Sequence, residues 1–288
     1  MKVLILGLNK SGTTALAYKL QEALGQGTAL HFEPGRVGGA EDEKIHRDIV
    51  AKPGAAVTKN LIFPSTETNW GSVFSNADLY DRAIWIVRDP RDIIISNFFY
   101  HWFQGHKAAP EKFQLALQRT SDKEQEPARY AFIDLVCGTM TEGRAQLEAW
   151  QRSWYDILDK AAPGIVKHTR VYKYEDFVAQ NFAPIKDYLG LAIQGETEVP
   201  DEHQRVVRTR SFDNWRRWFT DEDVDFFRPI LSEFLATMGY DPDDWRLEYP
   251  QSLPSAEGSD YMTKLYEKKV PGSGSKLMRR IRAKLGLK

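Results

Sequence analysis

The chain has 288 residues, and its 39 Lys and Arg side chains nearly balance 40 Asp and Glu side chains, giving a formal net charge of −1. This balance argues against a general polyanion-binding protein, so we expect no nucleic-acid partner. The single cysteine, Cys137, excludes an intrachain disulfide, and no run reaches the ~18 apolar residues of a membrane span. We therefore expect a cytoplasmic protein.

Short β-rich runs alternate with helical patterns along the chain. This alternation favours an α/β fold with a central parallel sheet and helices on both faces. The predicted strands cover residues 3–6, 29–32, 56–58, 83–87 and 165–172. The run at 83–87 is continuously apolar, as expected of a central strand that is buried on both faces.

Three helices are marked by signals at their first residues. One should begin at Gly12, because leucines recur at every fourth residue after it and form a single apolar stripe. Another should follow Asp89, since the next residue is a proline, which suits the first turn of a helix. A late helix should open at residues 220–223, where Thr-Asp-Glu-Asp has the pattern of a capping box.

We predict a single domain over residues 1–249. Residues 104–145 are mixed in charge and weakly periodic, so we interpret them as a helical insert or a mobile lid over an acceptor pocket. Residues 250–275 are rich in Pro, Ser and Gly and are expected to be loosely structured. Residues 276–288 form a basic amphipathic segment, suited to contact with a membrane surface or to docking on the chain's own domain.

A glycine loop follows the first predicted strand and reads Gly7-Leu8-Asn9-Lys10-Ser11-Gly12-Thr13-Thr14. A strand, a glycine loop and a helix together cradle phosphate, because loop N–H groups and the helix N-terminus point at the anion. The glycines have the spacing of G-x-x-x-x-G-K-[ST], but Thr13 takes the lysine position and the lysine is Lys10. An ATP or GTP site also needs a magnesium-binding carboxylate, and the nearest, Asp89, lies in an arginine-rich turn.

The segment from Leu8 to Thr14 resembles the 5′-phosphosulfate loop of PAPS-dependent sulfotransferases, whose usual core is Pro-Lys-Ser-Gly-Thr-Thr. The resemblance implies an α/β fold of the P-loop nucleotide-binding type, PAPS as co-substrate, PAP (adenosine 3′,5′-bisphosphate) as product, and no metal. It assigns the 5′ end of the nucleotide to five loop residues: Lys10, Ser11, Gly12, Thr13 and Thr14. Lys10 is expected to neutralise charge that develops on the leaving oxygen.

Two later segments resemble further donor-binding elements of this family. Residues 84–96 are similar to the 3′-phosphate element, which implies that Arg88 and Ser96 grip the 3′-phosphate. Residues 171–177 resemble the Tyr-Glu-Asp segment, in which the tyrosine, here Tyr174, lies by the adenine.

Residues 208–220 resemble the late element Arg-Lys-Gly-x-x-Gly-Asp-Trp-Lys. Aligned on its tryptophan, the element's arginine corresponds to Arg208 and its final lysine to Arg216. Thr209 and Arg210 replace the Lys-Gly pair, so we expect Arg210 to compensate for the glycine contact to phosphate.

The acceptor needs a general base. Many cytosolic members carry Lys-Thr-His after the third strand; here Lys59 matches the lysine, but Leu61 stands at the histidine position. Other branches use a glutamate or histidine near the second strand, where this chain offers His31 and Glu33. Glu33 is preferred because it follows a strand end, where sites gather in open α/β sheets. Two further histidines come after the 3′-phosphate helix: His101 and His106.

These patterns predict a sulfotransferase that moves the sulfuryl group of PAPS to a hydroxyl or amine of an acceptor. One alternative is a P-loop kinase or NTPase, which Thr13 and the Arg88/Ser96 pair disfavour. The other is a catalytically silent nucleotide-binding protein, which the missing histidine at position 61 keeps open.

Overall fold

The computed structural model describes residues 1–35, 40–103, 110–196, 198–204 and 208–269. The chain divides into two compact units, each described here by itself. The first, called the sheet unit, comprises Met1–Ile93, Ser153–Phe212 and Glu233–Tyr240. The second, called the helical unit, comprises Ile94–Arg152, Asp213–Ser232 and the described part of Asp241–Lys288.

The described residues of the sheet unit contain five parallel strands in the order β2-β3-β1-β4-β5. Their bounds are β1 (Lys2–Leu8), β2 (Ala29–Phe32), β3 (Ala56–Ile62), β4 (Arg82–Val87) and β5 (Arg170–Lys173). Helices flank this sheet, so the predicted α/β class with a central parallel sheet is confirmed.

The helices of the described residues follow in chain order: α1 (Thr13–Leu24), α2 (Ala40–Ala51), α3 (Trp70–Asp78), α4 (Pro90–His101), α5 (Pro110–Gln125), α6 (Phe132–Val136), α7 (Arg144–His168), α8 (Tyr174–Val178), α9 (Ala183–Leu189), α10 (Trp215–Trp218), α11 (Asp221–Thr237) and α12 (Ser259–Lys269). The three helix starts predicted from sequence are confirmed by α1, α4 and α11.

Both faces of the sheet are covered at its central strand. All seven residues of β1 are buried, and successive side chains of a strand point to opposite faces. On one face Val3 and Ile5 pack with Leu16 and Leu20 of α1. The apolar stripe predicted for the first helix therefore faces the sheet.

Two segments differ from the sequence expectation. The predicted strand at 165–172 begins only at Arg170, because α7 continues to His168. Its buried residues Leu158, Ala162 and Ile165 recur at helical spacing, and this packing overrides the local β preference.

The other difference lies in residues 250–275, where loose structure was expected and α12 forms. Glu124 caps α12 by accepting from the Ser259 N–H (2.6 Å) and hydroxyl (2.7 Å). Met262 and Leu265 are buried on its inner face.

The described part of residues 104–145 is largely helical, in α5, α6 and the start of α7. The interpretation of residues 104–145 as a helical insert or a lid stays a prediction. Residues 276–288 lie outside the described residues. Among the helices that the structure describes, none is long and apolar enough to cross a membrane.

Asp223 organises the helical unit from a fully buried position. Its carboxylate accepts from the N–H groups of Phe132 and Ile133, both at 2.8 Å, and so caps α6. It also accepts from the Thr220 N–H at 2.8 Å, which is the predicted capping-box bond of α11.

Lys123 of α5 is buried beside this cap and donates to the carbonyls of Pro127 and Tyr130. Burial lowers the pKa of its ammonium group to about 8, against the opposing charges of Asp223 and Asp134. The unfolded chain therefore binds more protons than the folded one between pH 8 and 10.5, so stability rises with pH in that window.

Replacing Lys123 by Met should remove this pH dependence. Between pH 7 and pH 10 the unfolding free energy of the wild type should rise by about 2–3 kcal/mol relative to Lys123→Met, since one pKa unit is worth ~1.4 kcal/mol. Urea denaturation at the two pH values measures the difference in unfolding free energy between the wild type and Lys123→Met. Groups that titrate alike in both proteins do not contribute to this difference. Lys112→Met, on the exposed side of α5, is the control, and a pH-independent difference for Lys123→Met would contradict the assignment.

Candidate functional site

The glycine loop joins the carboxyl end of β1 to the N-terminus of α1. Ser11 fixes the turn, because its N–H and its hydroxyl both donate to the Leu8 carbonyl, at 3.2 and 2.7 Å. The Gly12 carbonyl accepts the first helical bond from the Leu16 N–H at 3.1 Å. The N–H groups of a helix's first turn have no intrahelical partner, so this end of α1 favours an anion.

Both glycines of the loop are required by close contacts. A Cβ on Gly7 would lie 2.6 Å from the Ser11 hydroxyl oxygen and 2.9 Å from the Ile86 carbonyl. Gly12 has a φ of 91°, and a Cβ there would lie 2.5 Å from the Tyr174 ring. Lys10 also lies in the left-handed region, with a φ of 69°. The loop therefore has a backbone shape that few sequences adopt.

Arg88 leaves the end of β4 and reaches the glycine loop. Its guanidinium donates to the Lys10 carbonyl at 3.0 Å and to the Ser211 carbonyl at 3.3 Å. It lies 4.3 Å from the centre of the Tyr174 ring and 3.4 Å from the Asp92 carboxylate. The side chain is buried, and its Nε has no hydrogen-bond partner among the described residues.

Glu175, in α8 directly after β5, holds the backbone next to Arg88 in place. Glu175 accepts from the Asp89 N–H at 3.1 Å and from the Tyr240 hydroxyl at 2.7 Å. Burial raises the pKa of Glu175, and these hydrogen bonds oppose the shift. Glu175 thereby fixes the backbone immediately after Arg88. Its position beside Tyr174 is the one sequence signal that could have singled it out.

Arg208 belongs to the same cluster of charges. Burial raises the pKa of Tyr174, and the positive charges of Arg88 and Arg208 act against that rise. The sheet unit therefore brings together the glycine loop, Arg88, Tyr174 and Arg208, all assigned to the donor from the sequence.

Residues 208–220 contain two non-glycine residues with a left-handed backbone, at positions where the pattern that this segment resembles has glycine. Arg210 and Asp213 stand at the two glycine positions of that pattern, and their φ angles are 50° and 59°. Both residues thus adopt the left-handed conformation that favours glycine. The Arg210 side chain is exposed.

Two predicted donor residues belong to the helical unit. Ser96 is buried on α4. Arg216 is engaged with Asp244 at 2.8 Å and with Asp213 at 3.5 Å, and it donates to the Arg246 carbonyl at 2.9 Å. These contacts give the Arg216 guanidinium a structural role. Its contact with a phosphate stays a prediction.

The candidate bases lie on two faces of the sheet. Glu33 and Lys59 form an ion pair at the ends of β2 and β3, with the lysine buried and the carboxylate partly exposed. Phe32 packs on the α1 side, so His31, its neighbour in the strand, points to the other face. Burial and then the charges of Lys52 and Lys2 lower the pKa of His31.

The structure therefore unites Glu33 with Lys59 and separates both from His31. The structure does not support a base role for the other two candidate histidines. His101 lies in the helical unit, where burial and Lys112 lower its pKa, and His106 lies outside the described residues.

A buried polar network around His46, which reaches Asn60 next to Lys59 in β3, was not predicted from the sequence. His46 is fully buried and bonds the Tyr80 hydroxyl at 2.7 Å and the Asn60 amide at 2.9 Å. His46 therefore links α2 to β3 and to the turn that follows α3. Among the described residues, no group of three or more His, Cys, Asp or Glu side chains is arranged to hold a metal ion.

Comparisons with known proteins return little. No protein-family model matches this chain, and no curated protein sequence matches it. A solved structure, mouse sulfotransferase SULT7A1 complexed with PAP, is similar with a TM-score of 0.48 and 16% sequence identity. The similarity covers 81% of this chain and 84% of that one.

Gly12→Ala should destabilise the sheet unit through both its backbone angle and the Tyr174 ring. We expect a loss of about 2–4 kcal/mol in unfolding free energy, combining a left-handed alanine with overpacking. Gly190→Ala is the matched control, since Gly190 is also left-handed, with a φ of 65° and a ψ of 31°, and no described atom lies within 4 Å of its Cβ. Equal losses for the two variants in urea denaturation would show that the Tyr174 contact is unimportant.

Proposed function

We propose that this chain is a PAPS-dependent sulfotransferase acting on a hydroxyl or amine of an acceptor in the cytoplasm. The observation that carries the proposal is the contact between Arg88 and the glycine loop. It adds a fixed cation to a loop that is already suited to phosphate. The glycine loop and the Arg88 guanidinium are two neighbouring groups that can each bind a phosphate, so together they suit a nucleotide with phosphates at the 5′ and the 3′ positions.

The buried Nε of Arg88 supports an anionic ligand at this position. An unpaired buried donor is costly unless something satisfies it, and a charged donor more so. A phosphate oxygen would satisfy it while the other two nitrogens keep their carbonyl contacts. Arg208 adds positive charge at the same edge of the sheet.

In the proposed reaction the acceptor oxygen or nitrogen attacks sulfur, the bond from sulfur to the 5′-phosphate oxygen breaks, and PAP leaves. The acceptor proton passes to a base. Lys10 and the hydroxyls of Thr13 and Thr14 stabilise charge on the leaving oxygen. Preorganised donors of this kind are effective because they need no reorganisation during the reaction.

Glu33 is the proposed base, with Lys59 holding its carboxylate in place. The ion pair orients a partly exposed carboxylate beside a buried ammonium group. His31, on the opposite face of the sheet, is less well placed for the same proton.

A kinase or NTPase fits the site less well. Thr13 occupies the position of the phosphate-binding lysine, and the nearest acidic residue is already engaged. Asp89 forms a buried ion pair with Arg91 at 2.6 Å and accepts from the Arg91 N–H at 2.8 Å. A magnesium ligand would have to break these contacts.

A silent nucleotide-binding protein is the second candidate. Leu61 stands where cytosolic relatives of the proposed family carry histidine, and Glu33 is bound to Lys59. Such a protein would bind PAP and transfer no sulfate.

Turnover of labelled PAPS with a panel of alcohols, phenols, amines and glycans tests the proposal directly. PAP binding without turnover of any acceptor would favour the silent protein. Magnesium-dependent ATP binding that PAP does not displace would favour the kinase.

Lys10→Ala should lower kcat by about 10²–10³-fold, because it removes one preorganised donor from the leaving oxygen. Initial rates at saturating PAPS measure the loss. Lys44→Ala, an exposed lysine of α2, is the control and should leave kcat unchanged. Near-normal turnover by Lys10→Ala would overturn the role of Lys10.

A further inference from the structure

Arg88 contacts the backbone of the residue that is proposed to act on the leaving oxygen. Its Nη1 donates to the Lys10 carbonyl at 3.0 Å. Lys10 has a φ of 69°, a conformation that costs a non-glycine residue free energy. A charged donor on its carbonyl stabilises that peptide in the observed orientation.

The guanidinium is well placed for this task because it is itself immobilised. It packs 4.3 Å from the centre of the Tyr174 ring, and its Nη2 meets the Ser211 carbonyl and the Asp92 carboxylate. Glu175 anchors the Asp89 N–H immediately after it. Arg88 therefore links the end of β4 to the loop that follows β1.

We infer that Arg88 is a positioning residue for the 5′-phosphosulfate loop, in addition to its predicted contact with the 3′-phosphate. Without it, the Lys10 carbonyl loses its hydrogen bond from the end of β4. The inference rests on the proposed function for its consequence in catalysis. Its structural part concerns the ligand-free loop and is independent of any ligand.

Arg88→Met keeps the aliphatic stem and removes every donor, while Arg88→Lys keeps a charge and loses the planar fork. Arg82→Met is the matched control. Arg82 lies at the opposite end of β4, and its guanidinium likewise donates to a carbonyl, that of Tyr188 at 2.7 Å, and packs on the Tyr188 ring.

Amide hydrogen exchange of the ligand-free proteins, read on peptides covering residues 7–14, is the primary test. The hydrogen bond from the Ser11 N–H to the Leu8 carbonyl protects this turn. We expect exchange to accelerate about 10–100-fold in Arg88→Met, the effect of losing one charged hydrogen bond. Arg88→Lys should accelerate exchange less, and Arg82→Met should match the wild type.

The catalytic consequence is read by comparing PAPS with ligands that lack the 3′-phosphate. Arg88→Met should lower kcat for PAPS as well as raise KM, because Lys10 is displaced. It should also weaken binding of adenosine 5′-monophosphate, measured by calorimetry, although this ligand has no 3′-phosphate for Arg88 to grip.

Wild-type exchange in Arg88→Met and Arg88→Lys, with both variants folded by circular dichroism, would overturn the inference. A wild-type protein that binds neither PAP nor adenosine 5′-monophosphate would instead overturn the proposed function, and the exchange result would still decide the role of Arg88. If Arg88→Met fails to fold, Arg88→Lys carries the test.

Discussion

The candidate site at the edge of the sheet depends on the loop between β1 and α1, whose backbone has a left-handed conformation that is unfavourable for L-residues. Lys10 and Gly12 both have positive φ angles, and at Lys10 this conformation costs about 1–2 kcal/mol. The cost is offset locally by the two bonds that Ser11 makes to Leu8, and from a neighbouring strand by Arg88. The shape of the loop is therefore a property of β1 and β4 together.

The parts of this fold that could be predicted from sequence are those encoded locally. The apolar run of β4 and the glycine spacing of the loop are readable within a few residues. The end of α7 and the presence of α12 are not. Ile165 reads as a strand residue until packing places it on a helical stripe, and α12 depends on a cap from Glu124, 135 residues away in the chain.

The site shows the same division. Lys10, Arg88 and Tyr174 each stand in a recognisable segment, and the structure brings those segments together. Glu33 pairs with Lys59, and the Asp89 N–H donates to the Glu175 carboxylate. Both contacts join residues far apart in the chain, so no local sequence pattern predicts them. Arg210 and Asp213 adopt a left-handed backbone, although neither of them is a glycine that would signal it in the sequence.

Strand order explains why these segments meet. The order β2-β3-β1-β4-β5 reverses direction at β1, since the chain goes to β2 and β3 on one side and to β4 and β5 on the other. In open α/β sheets a crevice opens at the carboxyl ends of the strands where the order reverses, and ligands bind there. At this point of the sheet, between β1 and β4, Arg88 donates to the Lys10 carbonyl. The residues of the sheet unit that are predicted to bind the donor follow β1, β4 and β5, whereas the proposed base pair lies at the ends of β2 and β3. The predicted donor residues of the sheet unit and the proposed base pair therefore depend on different strands of one sheet.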